Sequence, residues 1–151
     1  MRKMILSLAL AASVSWAGLA PGLADAASLP KIQTTPLGWY HGWKVRPRNV
    51  YFGGGAGFSA PRIDSLRYTH YNGHSAGGYG RWLLDSCEPD CAEGGHFVTA
   101  HVKFYGLFYH KGPGLNFGYA RVSWHHRGYH TALIYINGKG QWVYTGTPNY
   151  W

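Results

Sequence analysis

The clearest structural signal in the chain is the stretch FVTAHVKFYGLF, which spans residues 97–108. Between positions 98 and 105 the even-numbered residues are Val, Ala, Val and Phe, and the odd-numbered residues are Thr, His, Lys and Tyr. An alternation with a period of two is typical of a β-strand that buries one face and exposes the other. The stretch therefore predicts a long strand whose odd-numbered side chains point outward.

The neighbouring segments also read as strands. Residues 117–124 alternate again, with Ala120, Val122 and Trp124 on one side and the other side formed by Phe117, Tyr119, Arg121 and Ser123. Strands are further predicted at 131–136 and 141–145, and the tetrapeptide NGKG at 137–140 joins them in the strongest hairpin signal of the chain. Earlier strands are expected at 49–52, 63–71 and 79–84, separated by a glycine run at 53–57 and a glycine-rich turn at 72–78.

Composition agrees with this pattern. Charged residues make up only 13% of the 151 residues and aromatic residues 17%, which excludes a coiled coil, a helical bundle and a disordered chain. At least six strands with short turns, and no stretch of helical periodicity between them, predict an all-β fold. We expect a single domain built as an antiparallel β-sandwich or a small β-barrel.

The first residues carry the features of a secretory signal peptide. Arg2 and Lys3 precede a mostly apolar stretch at 4–14, and the sequence Ala-Asp-Ala at 24–26 offers small residues to a signal peptidase. We expect residues 1–26 to be cleaved, leaving no segment that spans a membrane and a protein that is secreted into the extracellular space. An irregular N-terminal segment is then expected at 27–45 and the β domain at 46–151.

Two cysteines lie close together in an acidic segment. Cys87 and Cys91 are separated by three residues and are the only cysteines of the chain. In an oxidising compartment an even number of cysteines at close spacing predicts a disulfide. A zinc site would need two more ligands at suitable spacing, and a redox site needs a different spacing at a helix start. We therefore predict a structural disulfide that holds a tight turn between two strands.

The cysteine turn also carries a resemblance. From about Arg46 to Tyr135 the chain resembles a group of small secreted actinobacterial proteins that share an Asp-Cys-x-Pro-x-Cys-Ala-x-Gly turn between predicted strands. The matching residues are Pro47, Val50, Tyr51, Phe52, Gly53, Leu66, Gly80, Asp85, Cys87, Pro89, Cys91, Ala92, Gly94 and Phe97. The chain departs from the pattern by Ser86, inserted after Asp85, and by a more aromatic second half. The resemblance implies secretion, a β fold and a disulfide turn, and it supplies no catalytic residue.

The sequence offers little support for catalysis or metal binding. Nine histidines are present, but neither a His-x-His nor a His-Glu-x-x-His pattern occurs, and the glycine run at 53–57 lacks the Lys-Ser or Lys-Thr of a phosphate loop. No nucleophile elbow is present, and the few acidic residues leave little for a triad or a carboxylate pair. We predict no catalytic residue, no metal site and no cofactor.

A candidate binding face follows from the alternation. If the strands at 97–108 and 117–124 are neighbours, their outward side chains place rings between cations, and these suit stacking on sugars and contact with anionic groups. The candidate binding residues are His101, Lys103, Tyr105, Tyr119, Arg121 and His125. The alternative is that the same face is buried, as the second layer of a sandwich or the interior of a barrel.

Net charge indicates the class of partner. The whole chain has a formal charge of +8, and cleavage after residue 26 removes two basic residues and one acidic residue, leaving +7. A basic extracellular domain attracts anionic polymers. We predict a non-enzymatic binding or envelope-associated module whose partner is an anionic polymer or a glycan of the cell envelope. The alternatives are a small ribonuclease-like hydrolase that uses His with Arg or Lys, and a structural envelope protein.

Overall fold

The computed structural model describes residues 29–35, 38–53, 61–84 and 95–145. Within these ranges one 3-10 turn spans Gly38–Tyr40, and no helix is long and apolar enough to cross a membrane. The remaining regular structure consists of strands β1 (Ile32–Gln33), β2 (Trp43–Lys44), β3 (Val50–Tyr51), β4 (Arg62–Tyr71), β5 (Ala76–Leu84), β6 (His96–His110), β7 (Gly114–His125), β8 (Tyr129–Ile136) and β9 (Trp142–Tyr144). The predicted all-β fold and single domain are confirmed.

Strands β3 to β9 form one antiparallel sheet in which every strand pairs with the next one along the chain. The sheet curls into a nearly closed, barrel-like structure, so the second of the two predicted architectures describes it better than a sandwich. The longest pairing joins β6 and β7, from Ala100 opposite Trp124 to His110 opposite Gly114. The predicted hairpin at 137–140 joins β8 to β9.

Alternation along the strands builds the core. The apolar side chains of β6, β7 and β8 point into the interior that the curled sheet encloses. Those of Ala100, Val102, Phe104, Val122 and Ile134 are each almost fully buried. Aromatic rings fill the rest of the interior. The ring of Phe52 lies 5.6 Å from Trp82 and 5.5 Å from Trp142, measured between centroids. The interior is therefore a packed aromatic core, and the opposite face of the sheet is left for solvent.

Strand β5 begins earlier than the sequence predicts. Gly77 and Gly78 were expected in a turn, but both lie in β5 and pair with β6. The reason is the close approach of β4, whose register shifts twice along its pairing with β5. A Cβ atom at Gly78 would overlap the backbone oxygen of Arg67, and one at Gly77 would overlap the ring of His70. Glycine is used here for close packing of a bulged strand.

The N-terminal residues close the gap between the two edges of the sheet. We call residues 29–35 the strap. The backbone oxygen of Thr34 accepts a hydrogen bond from the amide of Tyr51 in β3, and that of Gln33 accepts one from the Trp142 indole of β9 at 2.8 Å. The strap also pairs with β2 in a two-stranded sheet, an element that the expected irregular segment at 27–45 did not include.

Gln33 anchors the strap. Its side chain is fully buried, and its amide nitrogen donates to the backbone oxygens of Gly38 and Gly140. Its amide oxygen accepts from the backbone amides of Thr34 and Thr35. Every polar atom of this buried side chain is thus paired, which is the condition for burying an amide without a large loss of stability.

Two tyrosines pack at the same end of the core. The Tyr68 hydroxyl donates to the backbone oxygen of Pro47, and the Tyr71 hydroxyl donates to that of Pro30 at the start of the strap. Burial raises the pKa of both phenols above the ordinary value near 10, and in Tyr71 the neighbouring Arg46 offsets part of the rise. Both groups therefore hold their protons more tightly in the folded chain.

Three predictions concern residues outside the described ranges. These are the signal peptide at 1–26, the disulfide between Cys87 and Cys91, and the loop formed by glycines 54, 55 and 57. They stay predictions.

Candidate functional site

The candidate site lies on the solvent side of the sheet. We call the outward side chains of β5 to β8 the outer face; they include Tyr79, His101, Lys103, Tyr105, Tyr119, Arg121, Ser123, His125 and Tyr129. All six predicted binding residues belong to it. Five of them are exposed and Tyr105 is half-buried. Because Tyr119 is 50% exposed, the outer face is not a second layer of core.

One residue that the sequence placed on the outward side of its strand is not part of the outer face. Phe117 was expected on the outward side of its strand, but it is fully buried and its ring meets Tyr71 edge to face at 5.8 Å. The regular alternation ends at Gly106 in the partner strand, where φ is +68°. Beyond this point the strap pairs with β7, where the backbone oxygen of Lys31 accepts a hydrogen bond from the amide of Phe117. Phe117 joins the core there, while Tyr119, two residues later, stays outside.

Tyr105 and Tyr119 form a ring pair at that point. They are directly opposite each other in the β6–β7 register, and their rings stack with centroids 5.6 Å apart and planes 19° apart. The Tyr119 ring also lies over Gly106, where a Cβ atom would overlap its Cδ2. Gly106 thus satisfies two requirements, a positive φ and the space for a ring.

Two cations are directly opposite each other beside this ring pair. Lys103 of β6 faces Arg121 of β7 in register, and both are exposed. Asp64 is the only acidic residue within the described ranges, and its carboxylate is 3.0 Å from Arg62 Nε on β4. Strand β4 is three strands away from β7. The centre of the outer face is therefore positively charged, with no described carboxylate to neutralise it.

A shallow depression of about 550 Å³ lies next to the cation pair. Its lining includes His101, Lys103, Arg121, His125 and Tyr129. The ring of Tyr79 contacts that of His101 with centroids 4.9 Å apart, and this closes one side.

Ser123 and Tyr129 bring hydroxyl groups to the lining of the depression. Ser123 Oγ and Thr131 Oγ1 are 3.4 Å apart on β7 and β8. Hydrogen bonding by Ser123 and then by Thr131 lowers the pKa of the Tyr129 phenol, and the Arg121 charge lowers it further. Ser123, Tyr129 and Arg121 line the depression together and Thr131 lies beside Ser123, so we treat the three hydroxyls as one cluster.

The sequence-based choice of binding residues missed several polar residues of the depression, among them Tyr79, Ser123 and Tyr129. Ser123 was placed on the outward side of its strand but was not chosen as a binding residue. Tyr79 lies within a predicted strand, but the pairing that sets it beside His101 was not predicted. Tyr129 precedes the predicted start of its strand at 131, whereas β8 begins at Tyr129 and pairs it with His125. The short turn HRG at 126–128 was the available signal, because so tight a connection makes the flanking residues paired neighbours.

The described residues do not include a group of three or more His, Cys, Asp or Glu side chains that could hold a metal ion. Acid–base chemistry on the outer face would rest on His101 and His125, with Lys103 and Arg121 as anion clamps. What the arrangement clearly provides is a cationic centre with rings on either side, exposed along one sheet surface.

Comparison of the chain with protein-family models, with curated proteins and with solved structures found no match. The function is therefore inferred from the geometry of the outer face.

Proposed function

We propose that the protein is a secreted, non-enzymatic binding module that holds an anionic glycan polymer of the cell envelope on its outer face. The observation that carries this proposal is the registered pair of Lys103 and Arg121, with no described carboxylate nearby. Side chains directly opposite each other on antiparallel strands have Cβ atoms about 5 Å apart, and like charges at that spacing are unfavourable. A bound anion would turn this repulsion into two attractions.

The surrounding rings suit a polymer made of sugars. The Tyr105–Tyr119 pair lies on one side of the cations, and the Tyr79–His101 contact lies on the other side of Lys103 along the strands. From His125 to Tyr119 the strand rises by roughly 20 Å, at about 3.4 Å per residue. That length accommodates several units of an extended polymer, with rings to stack on sugars and cations to meet acidic groups.

Two dextran polymers with the same backbone test the proposal. The mature protein should be retained on immobilised dextran sulfate and pass through neutral dextran, and retention should fall steeply as salt rises. The double variant K103Q/R121Q removes the central pair, whereas K111Q/K139Q removes the same charge from the β6–β7 and β8–β9 turns. We expect only K103Q/R121Q to lower retention, and to reduce the log–log salt slope by about 1 per cation.

Two results would refute the proposal. Equal losses in both double variants would show that net charge alone governs binding. Retention of the unmodified protein on neutral dextran, unchanged by salt, would show that the cations contribute nothing.

A ribonuclease-like hydrolase is the second candidate, because His101, His125, Lys103 and Arg121 meet around one depression. Two imidazoles and two cations are the groups that phosphoryl transfer without a metal would use as acid, base and clamp. Incubation with an RNA homopolymer decides between the two functions. RNA cleavage that H101A and H125A each abolish would favour the enzyme, and intact RNA under conditions of tight dextran sulfate binding would favour the binding module.

A further inference from the structure

We infer that the depression on the outer face is a subsite for a tetrahedral oxyanion, a phosphate or sulfate ester group of the bound polymer, in preference to a carboxylate. This inference rests on the proposed function and specifies its ligand class. The observations behind it are that Ser123 and Tyr129 line the depression together with Arg121, and that Thr131 Oγ1 lies 3.4 Å from Ser123 Oγ.

The number and placement of donors set the preference. A carboxylate presents two oxygens in one plane, and one arginine fork satisfies it. A phosphate or sulfate ester presents more oxygens, pointing in different directions, and needs donors from several sides. Here the cations come from β6 and β7 and the hydroxyls from β7 and β8, so donors converge from three adjacent strands.

The long hydrogen bond and the exposure of the hydroxyl cluster argue against a purely structural role. Ser123 Oγ and Thr131 Oγ1 are 3.4 Å apart, at the long end of a hydrogen bond, and Tyr129 is 73% exposed. A serine, a threonine and a tyrosine contribute little to stability in such an exposed position. Each hydroxyl can rotate its proton toward an incoming oxygen while it keeps an acceptor contact with its neighbour.

The test compares polymers that differ in the acidic group. Affinities of the unmodified protein are measured for dextran sulfate, dextran phosphate and polygalacturonate, matched in average charge per sugar unit, at the same ionic strength. We expect the sulfate and phosphate polymers to bind at least tenfold more tightly than the carboxylate polymer, since extra hydrogen bonds to a charged group are each worth about tenfold or more. A ratio of dextran sulfate to dextran phosphate affinity far from one identifies which ester the subsite prefers.

Variants locate the effect. Y129F and S123A each remove one hydroxyl, and both should weaken sulfate or phosphate binding by about tenfold while changing polygalacturonate binding little. Y109F is the matched control, because Tyr109 is 75% exposed near the end of β6 and outside the lining of the depression. Near-ultraviolet circular dichroism checks that each variant is folded.

The inference fails if polygalacturonate binds as tightly as the other two polymers, or if Y129F and S123A leave sulfate and phosphate binding unchanged. In either case, retention that still depends on Lys103 and Arg121 leaves the proposed function in place. Absence of binding to all three polymers overturns both.

Discussion

Replacing Gly106 with alanine tests how the fold positions the rings of the outer face. Gly106 has a φ of +68°, and a Cβ atom there would overlap Cδ2 of Tyr119. Gly114, in β7, has a φ of +85° but no atom within 4 Å of an added Cβ. G114A therefore reports the cost of the backbone conformation alone, and G106A reports that cost together with displacement of the ring.

The two costs can be estimated separately. A left-handed conformation costs a non-glycine residue about 1–2 kcal/mol, which we expect for G114A. Displacing Tyr119 also removes its stacking on Tyr105, worth about 0.5–1.5 kcal/mol. We therefore expect G106A to lower the free energy of unfolding by about 2–3 kcal/mol, measured by urea denaturation.

A double-mutant cycle completes this test. In a Y119A background no ring is displaced, so G106A should cost no more than G114A. Binding should depend on the position of the Tyr119 ring. We expect G106A to weaken retention on dextran sulfate about tenfold, since a stacked ring contributes roughly 1–3 kcal/mol to binding. G114A should leave retention unchanged. Equal effects of G106A and G114A on stability and binding would refute the role given to Gly106.

Three further predictions concern the rest of the fold. Gln33→Ala should lower the free energy of unfolding by about 3–5 kcal/mol, because several buried backbone groups lose their partner; a loss below about 1 kcal/mol in urea denaturation would contradict the role of Gln33 as the anchor of the strap. Because the pKa values of Tyr68 and Tyr71 are raised in the folded chain, their contribution to stability is constant at neutral pH and falls as pH rises above about 10, where these phenols ionise only in the unfolded chain. This fall in the free energy of unfolding should be smaller in Tyr68→Phe, and an identical pH dependence of the two proteins would contradict the burial effect. Cys87→Ser should lower the free energy of unfolding by about 1–3 kcal/mol without unfolding the domain. Intact-mass measurement should show the mature chain two protons lighter than its reduced form, and equal masses would disprove the disulfide.

Much of the fold can be predicted from the sequence because alternation is a local property. The period of two at 98–105 located β6, set its even positions inside, and left His101 and Lys103 outside. The tetrapeptide at 137–140 located the last hairpin. The six candidate residues were chosen in the same way, on the condition that the strands at 97–108 and 117–124 are neighbours, and β6 and β7 do pair with each other.

What the sequence could not predict depends on contacts between distant or irregular parts. Gly77 and Gly78 resemble a turn until the bulged β4 that lies against them is known. Phe117 follows the sequence alternation of its own strand, but it lies where the strap, distant in sequence, pairs with β7. A residue's own segment does not carry this information.

The strap joins parts of the chain that are far apart in sequence. Gln33 reaches Gly140 and Trp142 across 107 and 109 residues, whereas each pairing in the seven-stranded sheet joins consecutive strands. Closing a loop of that length costs on the order of 4 kcal/mol of chain entropy. Hairpins can therefore form one after another as the chain is synthesised, but closure has to wait for β9.

This order makes β9 decisive for solubility. A chain interrupted before β9 keeps the hairpins, the ring-lined outer face and the bonds of the strap to β3 and β7, but the strap loses its bond to β9 and the β8 edge stays open. Open strand edges pair readily with other chains. Partly synthesised or C-terminally clipped protein should therefore aggregate edge to edge more readily than the complete domain.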